Sequence, residues 1–251
     1  MSISPAPTTT TQTSLTSGHL FLLPLSPNQA NHNITRVTQP KTIPFYGSLS
    51  TLLNHRLHDF SIQLAENTDG DVTSITNTLR SFLSQSLTDC STPKESCCFE
   101  VRMTTPDPAY VTPRWHYDGP MFDADDKDPH TGRPRSIRAK YATVLLGPAT
   151  RFLDVPHTSE LASCLKYDED DMLQRQAVDK YLASYPGAER VHAQPGQIAR
   201  FAWGQELGGV HSEPDMSGSD RVFVSVLFGS EREIRDLAEN PRYGRNGVYE
   251  A

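Results

Sequence analysis

From Phe99 onward the apolar residues of this chain recur at every second position, and that change of period decides what it can fold into. Phe99, Val101 and Met103 alternate with charged or polar residues until Pro106 and Pro108 end the run. Further strand-like stretches follow at 138–147 (RAKYATVLLG), at 150–155 (TRFLDV), at ERVHA and, after a QPGQ turn, at IARFAWG. The last is RVFVSVLFG at 221–229, whose Val222, Val224, Val226 and Phe228 line one face. Upstream the spacing is helical. Leu49, Leu52, Leu53, Leu57, Phe60 and Leu64 form one stripe, and Val72, Ile75, Leu79, Phe82, Leu83 and Leu87 a second, joined by the polar NTDGD turn at 67–71. A third helical stretch, 159–184, puts Leu173, Ala177, Val178, Tyr181, Leu182 and Tyr185 on one face, and Pro186-Gly187 stops it. Two helices, then about seven short strands with one helical insertion, predict an α+β protein built on a β-sandwich or jelly roll.

The 251 residues suffice for one large domain. Residues 1–18 are Ser/Thr/Pro-rich with almost nothing to bury, so they are expected to be a disordered tail. The expected single domain spans 19–251, helical over 46–88, with a jelly-roll core over 97–229 and the helical insertion at 159–185. Lys and Arg number 23 against 30 Asp and Glu, a net charge of −7, which argues against a general affinity for nucleic-acid backbones or anionic membranes. No run approaches the ~20 apolar residues of a membrane span. The four cysteines are Cys90, Cys97, Cys98 and Cys164. Their spacing suits neither a disulfide framework nor paired zinc ligands and reads as free thiols in a reducing compartment. The amino terminus has no basic stretch followed by an apolar one, so the expected location is cytoplasmic.

The chemistry concentrates in Trp115-His116-Tyr117-Asp118. On a strand, residues two apart project to one side, so His116 and Asp118 can reach a common point. Far downstream His211 sits in GGVHSEP, and Arg221 opens the final strand 221 − 211 = 10 residues later. Two imidazoles and one carboxylate on one face of a metal leave adjacent positions open, which is what a non-haem Fe(II) oxygenase needs. An Arg at the base of the pocket can hold a remote carboxylate through paired charge-assisted hydrogen bonds. Trp115 and Tyr117 alternate with the ligands and read as packing residues. His130, His157 and His192 read as loop or core residues, and the acidic run Asp123, Asp125, Asp126 and Asp128 as a solvated loop.

The order His-x-Asp, long interval, His, ten residues, Arg resembles the Fe(II)/2-oxoglutarate-dependent dioxygenase superfamily. QPGQIARFAWG is similar to that family's turn between two core strands, with Gln197 where an acidic residue is common. The resemblance covers roughly Phe99 to Gly229. It implies a double-stranded β-helix, a jelly-roll or cupin-like core, carrying N-terminal helices and one helical insertion. It also implies Fe(II), 2-oxoglutarate and O2 as cofactor and co-substrates, with succinate and CO2 as products. Matched position by position, His116, Asp118 and His211 fall on the iron ligands, and Arg221 on the residue that binds the far carboxylate of 2-oxoglutarate. One departure is Phe223, two residues after the Arg, where some members have Ser. Ser225 shares the strand face of Arg221. The retained Asp118 argues against the halogenating branch.

Strand 138–147 is expected to give 2-oxoglutarate a second hydrogen bond. Tyr141 is the preferred residue, with Thr143 on its face and Lys140 on the other. Phe152, Arg200 and Trp203 are further pocket candidates, and the 119–137 loop a candidate lid. The expected activity is oxidation of a small-molecule metabolite, by hydroxylation or alternatively desaturation or ring formation, in specialised metabolism, with neither nucleic acid nor membrane as partner. The rivals are a cupin-like metalloenzyme that uses no 2-oxoglutarate and a non-catalytic jelly-roll binding module.

Overall fold

Both N-terminal stripes form helices with identifiable starts. In a computed structural model that describes residues 13–14, 20–25, 33–119, 121–122, 138–156, 158–168, 170–203, 208–240 and 248–251, Ser48 caps helix α1 (Leu49–Thr51) by accepting from the Thr51 amide. The chain passes through a π turn (Leu52–Arg56) into α2 (Leu57–Glu66). Asp71 caps α3 (Val72–Asp89) by accepting from Ser74 N at 2.9 Å. The stripes then bury together: Leu57, Phe60, Leu64, Ile75, Leu79, Phe82 and Leu83 are at most 1% exposed.

What they pack on is a large mixed sheet. Its strands are β1 (Thr13–Ser14), β2 (Leu20–Pro24), β3 (Lys41–Ser48), β4 (Ser96–Thr104), β5 (Ala139–Leu146), β8 (Gln197–Ala202), β10 (Arg221–Gly229) and β11 (Tyr249–Glu250). They are ordered β1-β2-β8-β5-β10-β4-β3-β11, every pair antiparallel except β11 on β3. A small antiparallel sheet, β7-β6-β9, is made by β6 (Arg151–Asp154), β7 (Glu189–His192) and β9 (Val210–Ser212). His116 adds one bridge beside β9, donating to and accepting from His211 through the backbone at 2.9 and 3.0 Å. Between β4 and β10 the chain alternates: large sheet, His116, β5, then β6 and β7, β8, β9 and back to β10.

Strand register separates the two faces of the large sheet. Val222, Val224, Val226 and Phe228 join Phe45, Phe99, Val101 and Tyr141 in the core beneath α2 and α3. The opposite parity, Phe223, Ser225 and Leu227 with Lys140 and Ala142 across from them on β5, lies on the other face. Phe60 meets Phe99 edge-on at 5.1 Å between ring centroids, at the centre of this core. Phe60→Ala is expected to cost about 3–5 kcal/mol, read as a fall in the urea midpoint at unchanged slope.

Three expectations need correction or extension. Strands β2 and β3 lie in a region the periodicity had not resolved. Pro44 hides β3: it interrupts the β pattern, and it is tolerated because, among the described residues, β11 pairs with β3 only at Tyr46 and Gly47 and no strand pairs with the Pro44 edge. The 159–184 helix is two helices, α4 (Ser159–Cys164) and α5 (Met172–Ala183), with Leu173 76% exposed at the start of the second, so it is not on the buried face. Of the expected tail 1–18 only Thr13 and Ser14 are described, and most of the 119–137 loop lies outside the described residues. A last helix, α6 (Glu231–Glu239), opens on a Ser230/Glu233 capping box. No described helix is long and apolar enough to cross a membrane.

Candidate metal centre

The 114–118 segment is pinned on both sides, and this fixes where its alternate side chains point. Trp115 is buried, its indole Nε1 donating to Asp179 at 2.8 Å, while its carbonyl accepts from the Tyr167 hydroxyl. Arg114 donates from its backbone N to Ser212 Oγ and from its guanidinium to both oxygens of Glu213, at 3.3 and 2.5 Å. His116, bridged to His211, and Asp118 are thereby turned toward β9. One ligand atom from each of His116, Asp118 and His211 lies within 4.8 Å of the others, and no fourth His, Cys, Asp or Glu joins the group among the described residues.

The two imidazoles are held alike. Nδ1 of His116 sits 2.7 Å from the Arg114 carbonyl, and Nδ1 of His211 sits 2.8 Å from the Gly209 carbonyl. A carbonyl only accepts, so each Nδ1 carries the proton and each Nε2 presents its lone pair. The rings are 4.4 Å apart between centroids. Phe201 and Phe152 wall His211 at 4.9 and 6.1 Å. Burial, aided by His116, pushes the His211 pKa down to about 4, so the ring is neutral near pH 7. Asp118 is the opposite case: burial works to raise its pKa, but Lys140, His211 and His116 outweigh that and hold its carboxyl well below the usual range. Two imidazoles held at Nδ1 and one carboxylate, without a thiolate, form a donor set that fits Fe(II). The chain thus carries a His-Asp-His set whose three ligand atoms could meet on one divalent metal ion.

Around this triad the other expected residues divide. Arg221 donates through Nε to the Pro148 carbonyl at 3.1 Å and through an Nη to Thr150 Oγ1 at 2.9 Å, with its guanidinium 4.6 Å from the Phe223 ring centroid. Burial and the neighbouring Arg102 pull its pKa down to about 10. Both acceptors are neutral, and among the described residues no carboxylate pairs with it. It lines a cavity of about 350 Å³ with Arg102, Phe223, Tyr110 and Glu213, a size within the ~300–1,000 Å³ range of ligand pockets. The β5–β6 turn reaches Arg221 because Gly147 adopts φ +82°; a Cβ there would stand 2.0 Å from the Asp220 carbonyl oxygen.

Tyr141 is turned away from the triad. Its hydroxyl donates to Asp89 at 2.9 Å on the helix side of the large sheet, where Arg200 pairs with the same carboxylate at 3.1 Å. Lys140, on the opposite parity, reaches Asp118 instead, Nζ to Oδ2 at 3.3 Å. The parity was open in the sequence, but a helix-covered core accepts a Tyr with one hydrogen bond far more cheaply than an ammonium. Phe152 is at the triad, Arg200 is not, and Trp203 packs edge-on against Phe122. Glu213, two residues after His211, and Arg102 went unrecognised; the Glu213–Arg114 pair joins residues 99 apart and leaves no local pattern. His130, His157 and the Asp123–Asp128 run lie outside the described residues.

No protein-family profile matches the chain, and no curated protein matches it. Solved structures do. One is HygX from Streptomyces hygroscopicus with iron bound, at 10% identity and TM-score 0.40, covering 84% of this chain and 82% of that one. Another is the dioxygenase for auxin oxidation 1 from Arabidopsis thaliana in complex with 2-oxoglutarate, at 10% identity and TM-score 0.38, covering 77% and 66%. A third is a prolyl-4-hydroxylase from Pseudomonas putida, at 9% identity and TM-score 0.35, covering 84% and 92%. The overlaps are loose, and the case for the site rests on its own side chains.

Proposed function

We propose that this chain is a non-haem Fe(II)/2-oxoglutarate-dependent oxygenase that oxidises a small molecule, with hydroxylation the favoured outcome. Its core is then a double-stranded β-helix, a reading supported by the regular alternation of the chain between the two sheets. His116, Asp118 and His211 would hold the iron, and Arg221 the far carboxylate of 2-oxoglutarate. The observation that carries the co-substrate is Arg221: a part-buried guanidinium whose hydrogen bonds among the described residues go to neutral acceptors, lining a cavity of about 350 Å³ that gives a ligand carboxylate access to its remaining N–H groups.

Iron with 2-oxoglutarate and O2 would supply oxidation of an unactivated C–H bond, giving succinate and CO2. The protein's own part is positional. The Arg114 and Gly209 carbonyls hold each imidazole with its Nε2 lone pair inward. Phe152 and Phe201 keep water from one side of His211. The Pro148 carbonyl and Thr150 hydroxyl fix the guanidinium plane of Arg221, so that its remaining N–H groups can meet a carboxylate without a search.

The test is anaerobic addition of Fe(II) and then 2-oxoglutarate to the full chain. A weak visible metal-to-ligand charge-transfer band is expected when a 2-oxo acid chelates iron held by two His and one carboxylate. Stoichiometric metal uptake with no band would overturn the 2-oxoglutarate assignment, and no uptake at all would overturn the metal site.

A further inference from the structure

We propose that Lys140 is a positioning residue that limits Asp118 to one metal-facing oxygen and so keeps a coordination position open for the co-substrate. The inference rests on the oxygenase reading above and concerns a residue that reading does not use. The two oxygens of Asp118 have different neighbours. Oδ1 lies 3.7 Å from Nε2 of His211, on the side of the imidazole lone pairs. Oδ2 accepts from Lys140 Nζ at 3.3 Å.

The lysine has little freedom to let go. Its backbone is locked in the middle of the large sheet, opposite Leu227 on β10 and Phe201 on β8. The ammonium sits 5.8 Å from the Phe201 ring centroid, and the side chain is 17% exposed. The space beside it, about 80 Å³, is lined by Ser225, Cys98 and Leu227.

A carboxylate free to rotate can chelate a divalent cation through both oxygens. Two imidazoles and one oxygen leave three positions of an octahedron, enough for a bidentate 2-oxo acid and O2; two imidazoles and two oxygens leave only two. Lys140 acts on that count from outside by occupying Oδ2. Its positive charge also opposes the cation and favours a dianionic ligand nearby. The charge gives the lysine opposite consequences for Fe(II) and 2-oxoglutarate binding, which an ordinary structural residue would not have, and the occupied Oδ2 preserves the position that O2 needs.

The experiment compares wild type, Lys140→Met and Lys140→Arg under anaerobic conditions. Fe(II) is titrated first, then 2-oxoglutarate at saturating Fe(II), following the visible band. For Lys140→Met, Fe(II) is expected to bind as tightly as in wild type or tighter. The 2-oxoglutarate dissociation constant should rise about tenfold or more, with the band shifted or weakened. Lys140→Arg, which keeps a cationic donor on Oδ2, should restore most of both. Fe(II) and 2-oxoglutarate affinities falling together in the Met variant would overturn the proposal in favour of simple support of the fold, and unchanged values would overturn it outright. Should the Met variant not fold, Lys140→Gln is read by the same criteria. A wild-type protein that gives no band fails at the oxygenase reading itself, whereas a wild-type band unaltered in the variants fails only here.

Discussion

His211→Gln is expected to lose stoichiometric Fe(II) uptake and to reduce 2-oxoglutarate turnover by about 10³-fold or more, since a catalytic metal contributes several kcal/mol to barrier lowering. The position has a double burden. His211 is 7% exposed, enclosed by Phe152, Phe201 and His116, so truncation to Ala would leave a hole and confuse lost packing with lost chemistry. Gln fills most of the volume but cannot present an Nε2 lone pair while donating to the Gly209 carbonyl. The measurement is metal stoichiometry by anaerobic titration together with succinate formation, with the melting temperature as control. Full metal uptake by a folded His211→Gln protein would remove His211 from the site.

The second large effect is expected at Arg221. Removing one member of a buried charged pair costs roughly 2–5 kcal/mol of binding, so Arg221→Met should raise the 2-oxoglutarate requirement on the order of 10²-fold. Fe(II) uptake should hold, because the arginine touches neither histidine nor Asp118. The free protein should not suffer in proportion: the lost hydrogen bonds go to the Pro148 carbonyl and Thr150 hydroxyl, and the guanidinium has no carboxylate partner among the described residues. A variant that binds iron, needs much more 2-oxoglutarate and melts near wild type carries this signature. An unaltered 2-oxoglutarate requirement would assign the arginine to the fold and reopen the search for the co-substrate anchor.

What could be read from the sequence was set by the range over which each feature is encoded. His116 and Asp118 lie two apart on an extended segment, so one local pattern aims both, and the ten-residue step from His211 to Arg221 spans a single turn between two strands. The helix hairpin was equally plain, because seven apolar positions in a row of turns leave no other period. Lys140 and Tyr141 show the limit. They are neighbours, strand parity sends them to opposite faces, and periodicity alone does not say which face is the site. The burial cost of an ammonium would have decided it. The Arg114–Glu213 pair and the seat of Arg102 beside Arg221 depend on strands that meet only after folding, and no spacing rule reaches them. Strand β3 was hidden by Pro44, a residue whose tolerance depends on where β11 stops.

The backbone bridge between His116 and His211 bears on how the proposed metal would relate to the fold. Two hydrogen bonds join the peptide groups that carry the ligands, and one more fixes each ring from behind, so the arrangement is a property of the folded chain. Zinc fingers stand at the other extreme, where folding and metal capture are a single event and a chelator unravels the domain. Under the oxygenase reading the ion would be a passenger rather than a keystone. With the proposed ligands held by the backbone, a chelator is expected to empty the seat while the chain stays folded, and refilling it would need no refolding.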